Sequence, residues 1–207
     1  MEVLEKMVVN DAVIERSLTY EKYYRLIKDL LAEGKTTGVE QKAAQLKHAR
    51  LNFQRMKRVY RTTLIGDELK ETISSIDHKQ LWVVLSEGWC GDAAQNLPAI
   101  ARMAEQNENI ELRILLRDEN REVMDAYLTN GSKSIPKLIA FDDDSKQELF
   151  TWGPRPAFFQ NMVLQHKTDP KMNNEDFNEW LHREYTLNKS QKIQEELRDK
   201  NEKLLAS

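Results

Sequence analysis

The single cysteine of the chain, Cys90, is the residue with the clearest capacity for chemistry. It lies in the stretch LWVVLSEGWCGDAAQNLPAIARM, residues 81–103. The five apolar residues Leu81 to Leu85 predict a buried strand and are too few to span a membrane. Gly88 then frees the backbone, and Leu97, Ile100, Met103 and Ala104 share one face of a following helix. Cys90 is therefore expected at a strand-to-helix junction, where free N–H groups and the helix dipole favour an anion. A thiolate stabilised in this way has a lowered pKa and is a nucleophile. Asp92 works in the opposite sense, because a neighbouring carboxylate raises a thiol pKa, although a helix start also suits it as a capping residue. The competing reading of Cys90 is a small buried apolar side chain.

The elements that would hold this junction can be read in order. Thr19 caps a predicted amphipathic helix over 19–33, with Tyr20, Tyr23, Tyr24, Ile27, Leu30 and Leu31 as its stripe. Gly34 ends it, and Lys35-Thr36-Thr37-Gly38 reads as a loop. A second helix is expected from about Val39 to Arg61, its apolar residues three and four apart. Lys42 to Arg61 holds seven Lys or Arg residues, His48, and no acid. That pattern suits either a docking face for an acidic partner or polyphosphate, or an ordinary solvated helix face. A short helix over 67–75, strands at Ile110–Leu116, Lys137–Phe141 and Glu148–Trp152, and helices over 122–129 and 157–165 complete an α/β order with a mixed sheet. Asn173 or Asn174 caps a further helix containing Phe177, Trp180 and Leu181. The charged tail from Asn188, with Ile193, Leu197 and Leu204 on one stripe, reads as a peripheral helix packing on the amino-terminal pair or on a second subunit, which leaves a homodimer open.

The chain as a whole bounds its function loosely. Its 207 residues are enough to bury a real core, and 31 basic against 34 acidic side chains leave a net charge of −3, so no global field calls for nucleic acid or a membrane. Mean hydropathy is −0.68. Met1 to Asn10 lacks the pattern of a leader peptide, and a lone cysteine cannot form an internal disulfide, so a cytoplasmic location is expected. His48, His78, His166 and His182 have no metal-ligand spacing with Cys90, and neither a metal nor a cofactor is expected.

Two separate motifs resemble the thioredoxin superfamily. Trp89-Cys90-Gly91-Asp92-Ala93 stands where thioredoxins carry Trp-Cys-Gly-x-Cys, and Pro98 falls where they kink the same helix. Ser134-Ile135-Pro136-Lys137-Leu138-Ile139-Ala140-Phe141 is similar to the segment whose cis proline faces the reactive cysteine. Ile110 to Leu116 with Arg117-Asp118-Glu119-Asn120 matches the middle strand and its polar exit. The resemblance implies a thioredoxin-like fold, a mixed β-sheet flanked by helices, over 64–166, with a helical extension at 1–63 and a helical segment at 167–207. It looks closest to bacterial thioredoxin-family proteins with an added helical amino terminus. It also implies Cys90 as the catalytic residue, with Trp89 (expected exposed), Gly91, Asp92, Ile135 and Pro136 contacting a substrate.

The departures from that pattern narrow the chemistry. Dithiol exchange needs a second thiol to resolve the mixed disulfide, and here its position is Ala93. The buried aspartate that thioredoxins place in the central strand falls on Val84, six residues before Cys90, with Glu87 the nearest alternative. A monothiol role follows: exchange with protein or small-molecule thiols and disulfides, reversible capping, or redox sensing. The alternative is a non-catalytic binding module using the groove between Trp89 and Pro136. The Cys-Gly-Phe-Ser of cluster-binding glutaredoxins differs from Cys90-Gly91-Asp92-Ala93, which argues against an iron–sulfur centre. Arg155, in the rigid corner Trp152-Gly153-Pro154-Arg155-Pro156, is read as a strand end or as a partner for a carboxylate. Asp118, Glu119 and Asn120 are read as a solvated loop or as part of the site wall.

Overall fold

A computed structural model describes residues 8–206. The expectation about Met1 to Asn10 therefore falls mostly outside the described residues. The fold is α/β, built on a four-stranded sheet in the order β2-β1-β3-β4. Its strands are β1 (Gln80–Ser86), β2 (Ile110–Leu116), β3 (Lys137–Asp142) and β4 (Glu148–Trp152). β1 runs parallel to β2 and antiparallel to β3, and β4 returns antiparallel on β3. Every residue of β1 is buried, because helices cover both faces of the sheet. Alternation sends Trp82 and Val84 into one core and Leu81, Val83 and Leu85 into the other.

The helices are α1 (Asp11–Glu15), α2 (Tyr20–Ala32), α3 (Ala43–Thr62), α4 (Asp67–Ser74), α5 (Gly91–Ala104), α6 (Arg121–Ala126), α7 (Ala157–Thr168), α8 (Asn174–Asn188) and α9 (Gln191–Leu205). The larger core is formed with α2, α3, α4, α5 and α9, and the smaller one with α1 and α6. Thr19 caps α2 as expected, accepting from the Lys22 N–H. Between α2 and α3, Tyr20 stacks on Tyr60 and Tyr24 on Phe53, with centroids 5.1 and 4.7 Å apart. The free edge of β2 is covered where Leu18 exchanges two backbone hydrogen bonds of 2.8 Å with Ile114. No helix among the described residues is long and apolar enough to cross a membrane.

The helices expected over 122–129 and 157–165 end at Ala126 and Thr168, and two further expectations change more. The second helix starts at Ala43 rather than Val39, because Gly38 takes φ +89° and the Gln41 side chain bonds to Thr36 N–H, Thr36 C=O and Gly38 C=O. This closes a loop whose threonines, Thr36 and Thr37, turn inward and are buried. The tail helix, in turn, is not peripheral. In α9, Ile193 and Leu197 enter the main core with Trp82 and Ile100. Gln194 bonds to Gly66 N–H and Leu64 C=O, and Glu196 accepts from Trp152 Nε1 at 2.6 Å. Leu197→Ala is expected to destabilise the protein by about 2–5 kcal/mol in urea unfolding. A loss below about 0.5 kcal/mol, typical of a surface position, would show that α9 is only loosely attached.

Candidate functional site

The turn that delivers Cys90 is held by the amino-terminal helices. Gly88 N–H donates to Thr37 Oγ1 at 2.8 Å, and Asn52 of α3 donates to the Gly88 carbonyl at 3.3 Å. A Cβ at Gly88 would come within 3.2 Å of the Ile27 side chain, so α2 packs directly on this backbone. One residue before the turn, Tyr23 and Ser86 share a buried hydroxyl–hydroxyl bond of 2.9 Å. With both polar groups of Gly88 occupied, the chain leaves β1 in a fixed direction and presents Cys90 as the residue that caps α5.

The sulfur has two contacts of opposite sense. Its S–H donates to the Ile135 carbonyl at 3.2 Å, and its lone pair accepts from Ala93 N–H at 3.4 Å. The first contact favours the thiol and the second the thiolate. Burial adds the largest effect, followed by the Asp92 carboxylate, and together they push the Cys90 pKa up to about 12. The Ala93 and Asp92 N–H groups and Arg155 pull it down only in part. Sequence leaves the net sign open between the helix terminus and Asp92; in the structure desolvation of the charged sulfur exceeds the field of the helix terminus.

Asp92 is a clamp residue and not a cap. Its carboxylate pairs with Arg155 at 2.5 Å and accepts from the Tyr185 hydroxyl of α8 at 2.9 Å. Asn96 closes the group, donating to the Asp92 carbonyl at 2.8 Å. Arg155 arrives from the corner after β4, where Gly153 has φ +120° and a Cβ would stand 2.2 Å from the Pro136 carbonyl oxygen. Only glycine fits that contact. The peptide bonds Ile135–Pro136 and Gly153–Pro154 are both cis, and the two segments press together beside Cys90. Ile135 and Pro136 are buried, and the charge of Arg155 is already committed to Asp92.

Trp89 is not the exposed platform expected from sequence. The Arg117 guanidinium lies 4.8 Å from its ring centroid, and the Gly38 backbone packs on its Nε1 edge. A Cβ on Gly38 would be 2.7 Å from Asp118 Oδ2 and 3.2 Å from Trp89 Nε1. Arg117 also pairs with Asp118 at 2.7 Å, and Asp118 N–H donates to the buried Glu87 carboxylate at 3.0 Å. Burial raises the Glu87 pKa, so the acid nearest Cys90 in sequence on the strand side is biased towards its neutral form. Val84 lies wholly in the apolar core. Asn120, expected in a solvated loop or site wall, is buried, accepting from Arg16 at 2.6 Å and donating to the Leu116 carbonyl.

Gly91 meets a residue that sequence reasoning missed. His182 of α8 lies over it, and a Cβ at Gly91 would be 2.9 Å from the ring atoms Cε1 and Nε2. Arg58 of α3 donates to Gln95 Oε1 at 3.2 Å, so the Gln95 amide nitrogen faces His182 Nδ1 at 3.1 Å. Arginine can only donate, which fixes the amide orientation and leaves the imidazole proton on Nε2. Burial, helped by Arg55 and Arg58, lowers the His182 pKa to about 4. No group of three or more His, Cys, Asp or Glu among the described residues is arranged to hold a metal ion.

The profile of the thioredoxin family matches residues 38–175, more than half of the sequence. The chain belongs to the thioredoxin-like family. No curated protein matches it. Among solved structures, it is similar to an HIV epitope scaffold, with 16% identity over 79% of this chain and 88% of that one at a TM-score of 0.47. It is also similar to a protein of unknown function from Pseudomonas aeruginosa, with 17% identity over 73% of this chain and 86% of that one at a TM-score of 0.46. The thioredoxin-family match takes in α3, which supplies Asn52 and Arg58, and stops before His182 and Tyr185. Those two residues stand on the face of α8 that follows the buried stripe Phe177, Leu181 and Tyr185, the one sequence signal that could have pointed to them.

The neutral His182 has a measurable consequence. An unfolded chain takes up the imidazole proton near pH 6.5, whereas the folded thioredoxin-like protein does so only near pH 4. Between those values the unfolded state binds more protons, so stability falls as pH falls, by on the order of 3 kcal/mol across the window. In His182→Gln that part of the pH dependence is expected to vanish in urea unfolding between pH 7 and pH 4.5 (values set about the two pKa limits). Equal slopes for variant and wild type would refute the assignment.

Proposed function

We propose that this thioredoxin-family chain acts as a monothiol that captures disulfide-bearing or thiol-reactive partners through Cys90. The observation that carries the reading is the position of the sulfur, 3.2 Å from the Ile135 carbonyl beside the cis Pro136. In the exchange step the Cys90 thiolate attacks one sulfur of a partner disulfide. A Cys90–partner disulfide forms, the partner's own S–S bond breaks, and its second sulfur leaves as a thiolate. With Ala93 in the second position and no other cysteine, release requires an external thiol. An extended segment donating a backbone N–H to the Ile135 carbonyl would displace the S–H now held there, coupling docking to activation. A lone thiol of this kind fits a reducing, cytoplasmic setting.

The raised thiol pKa sets the expected speed. The scarcity of thiolate outweighs the greater nucleophilicity of a more basic sulfur, which makes free Cys90 roughly a hundredfold slower than an ordinary cysteine at pH 7. Positioning by a docked partner can restore that rate, since effective molarities are large. Adduct formation with 2-hydroxyethyl disulfide, followed by intact mass, is expected to accelerate close to tenfold per pH unit from about pH 7 to 9 without a plateau. Cys90→Ser should form no adduct.

The same protonated thiol favours a second reading, a binding module that never exchanges. It would show as a wild type that forms no adduct even at the alkaline end of that range. Asp92→Asn offers a further check, because removing the carboxylate frees Arg155 and lowers the Cys90 pKa. Its adduct rate at fixed pH is expected to rise at least several-fold, on the order of one pKa unit. An unchanged or slower rate would mean that Asp92 does not control the sulfur.

A further inference from the structure

Most of the basic residues of α3 face solvent, and Lys42 is paired with Glu40. Arg55 and Arg58 differ. Both are partly buried, and their hydrogen bonds go to the neutral amides Asn52, at 2.8 Å, and Gln95, at 3.2 Å. Among the described residues neither has a carboxylate within ion-pair distance. Burial and the charge of Arg58 both act against the charged form of Arg55. His182 lies in the field of the same two arginines, opposed by that of Asp92. The nearest acid, Asp92, is held by Arg155 and Tyr185. Two neighbouring, partly buried like charges with only neutral amide acceptors are a place where an anion would be stabilised.

Hydrogen bonds already orient the donors here. The Arg58–Gln95–His182 relay leaves His182 Nε2 protonated beside Gly91, the first residue of the 14-residue helix α5. A guanidinium fork matches the oxygens of a carboxylate or phosphate. We propose that Arg55, Arg58 and His182 form a binding site for an oxyanion, the phosphate or carboxylate group of a small ligand, on the Gly91 flank of Cys90. The site does not depend on Cys90 being reactive.

The test is a chemical-shift titration of the full-length protein with inorganic phosphate and, separately, with acetate, ionic strength being held constant with sodium chloride. Saturable shifts at the Gly91 amide and the His182 ring are expected, with a dissociation constant near or below about 1 mM for the preferred anion. Stronger binding of phosphate assigns the site to phosphate-bearing ligands, and stronger binding of acetate assigns it to carboxylates. Arg55→Gln and Arg58→Gln are each expected to weaken binding at least about fivefold, whereas Arg55→Lys retains most of it. Exposed Lys57→Gln and the thiol-free Cys90→Ser should bind like wild type. Absence of saturation up to about 20 mM of either anion, or an equal loss in Lys57→Gln, overturns the proposal. Normal binding in Cys90→Ser that forms no disulfide adducts keeps the fate of this site separate from that of the monothiol reading.

Discussion

The ion pair between Asp92 and Arg155 joins the parts of the molecule that meet at Cys90. Its two side chains retain only 15% and 18% of their exposure, so removing either partner leaves a charge in a poorly solvated place. The pair exists because Gly153 lets the corner after β4 press on the Pro136 carbonyl, which aims Arg155 at the start of α5. Tyr185 then brings α8 onto the same carboxylate, and α8 carries His182 over Gly91. Sheet, helix α5, proline loop and carboxy-terminal helices are thus joined through one aspartate.

That arrangement explains why the sulfur behaves differently from a thiol at a bare helix terminus. The helix N–H groups do reach it, and a cation stands nearby, but the cation is already neutralised by Asp92. What remains is the cost of placing a negative sulfur where little water reaches it. The S–H bond to Ile135 gives the proton a specific resting place. In the proposed monothiol role, reactivity would depend on what displaces that bond.

The amino-terminal helices help to position the turn that carries Cys90. Thr37 and Asn52 hold the two polar groups of Gly88, and Ile27 packs against its Cα. The same layer supplies Arg55 and Arg58, whose uncompensated charge marks the flank of the site. The thioredoxin-family match beginning at residue 38 agrees with α3 sharing its core with the sheet.

The strands were legible from local pattern: the edge strands Ile110–Leu116 and Glu148–Trp152 appear in the structure with the ends read from sequence, and the central pair is only a residue or so longer. So were the cap at Thr19, the strand-to-helix junction at Cys90 and the helix capped by one of Asn173 and Asn174, the structure selecting Asn173, since period and capping are properties of neighbouring residues. The inward turn of Thr36 and Thr37, the burial of α9 and the arrival of His182 and Tyr185 were not legible, because each depends on contacts from tens of residues away. The state of Cys90 belongs to this second group. A thiol pKa balances local donors against desolvation, and sequence reveals the donors, whereas only the folded chain decides how much water is left around the sulfur.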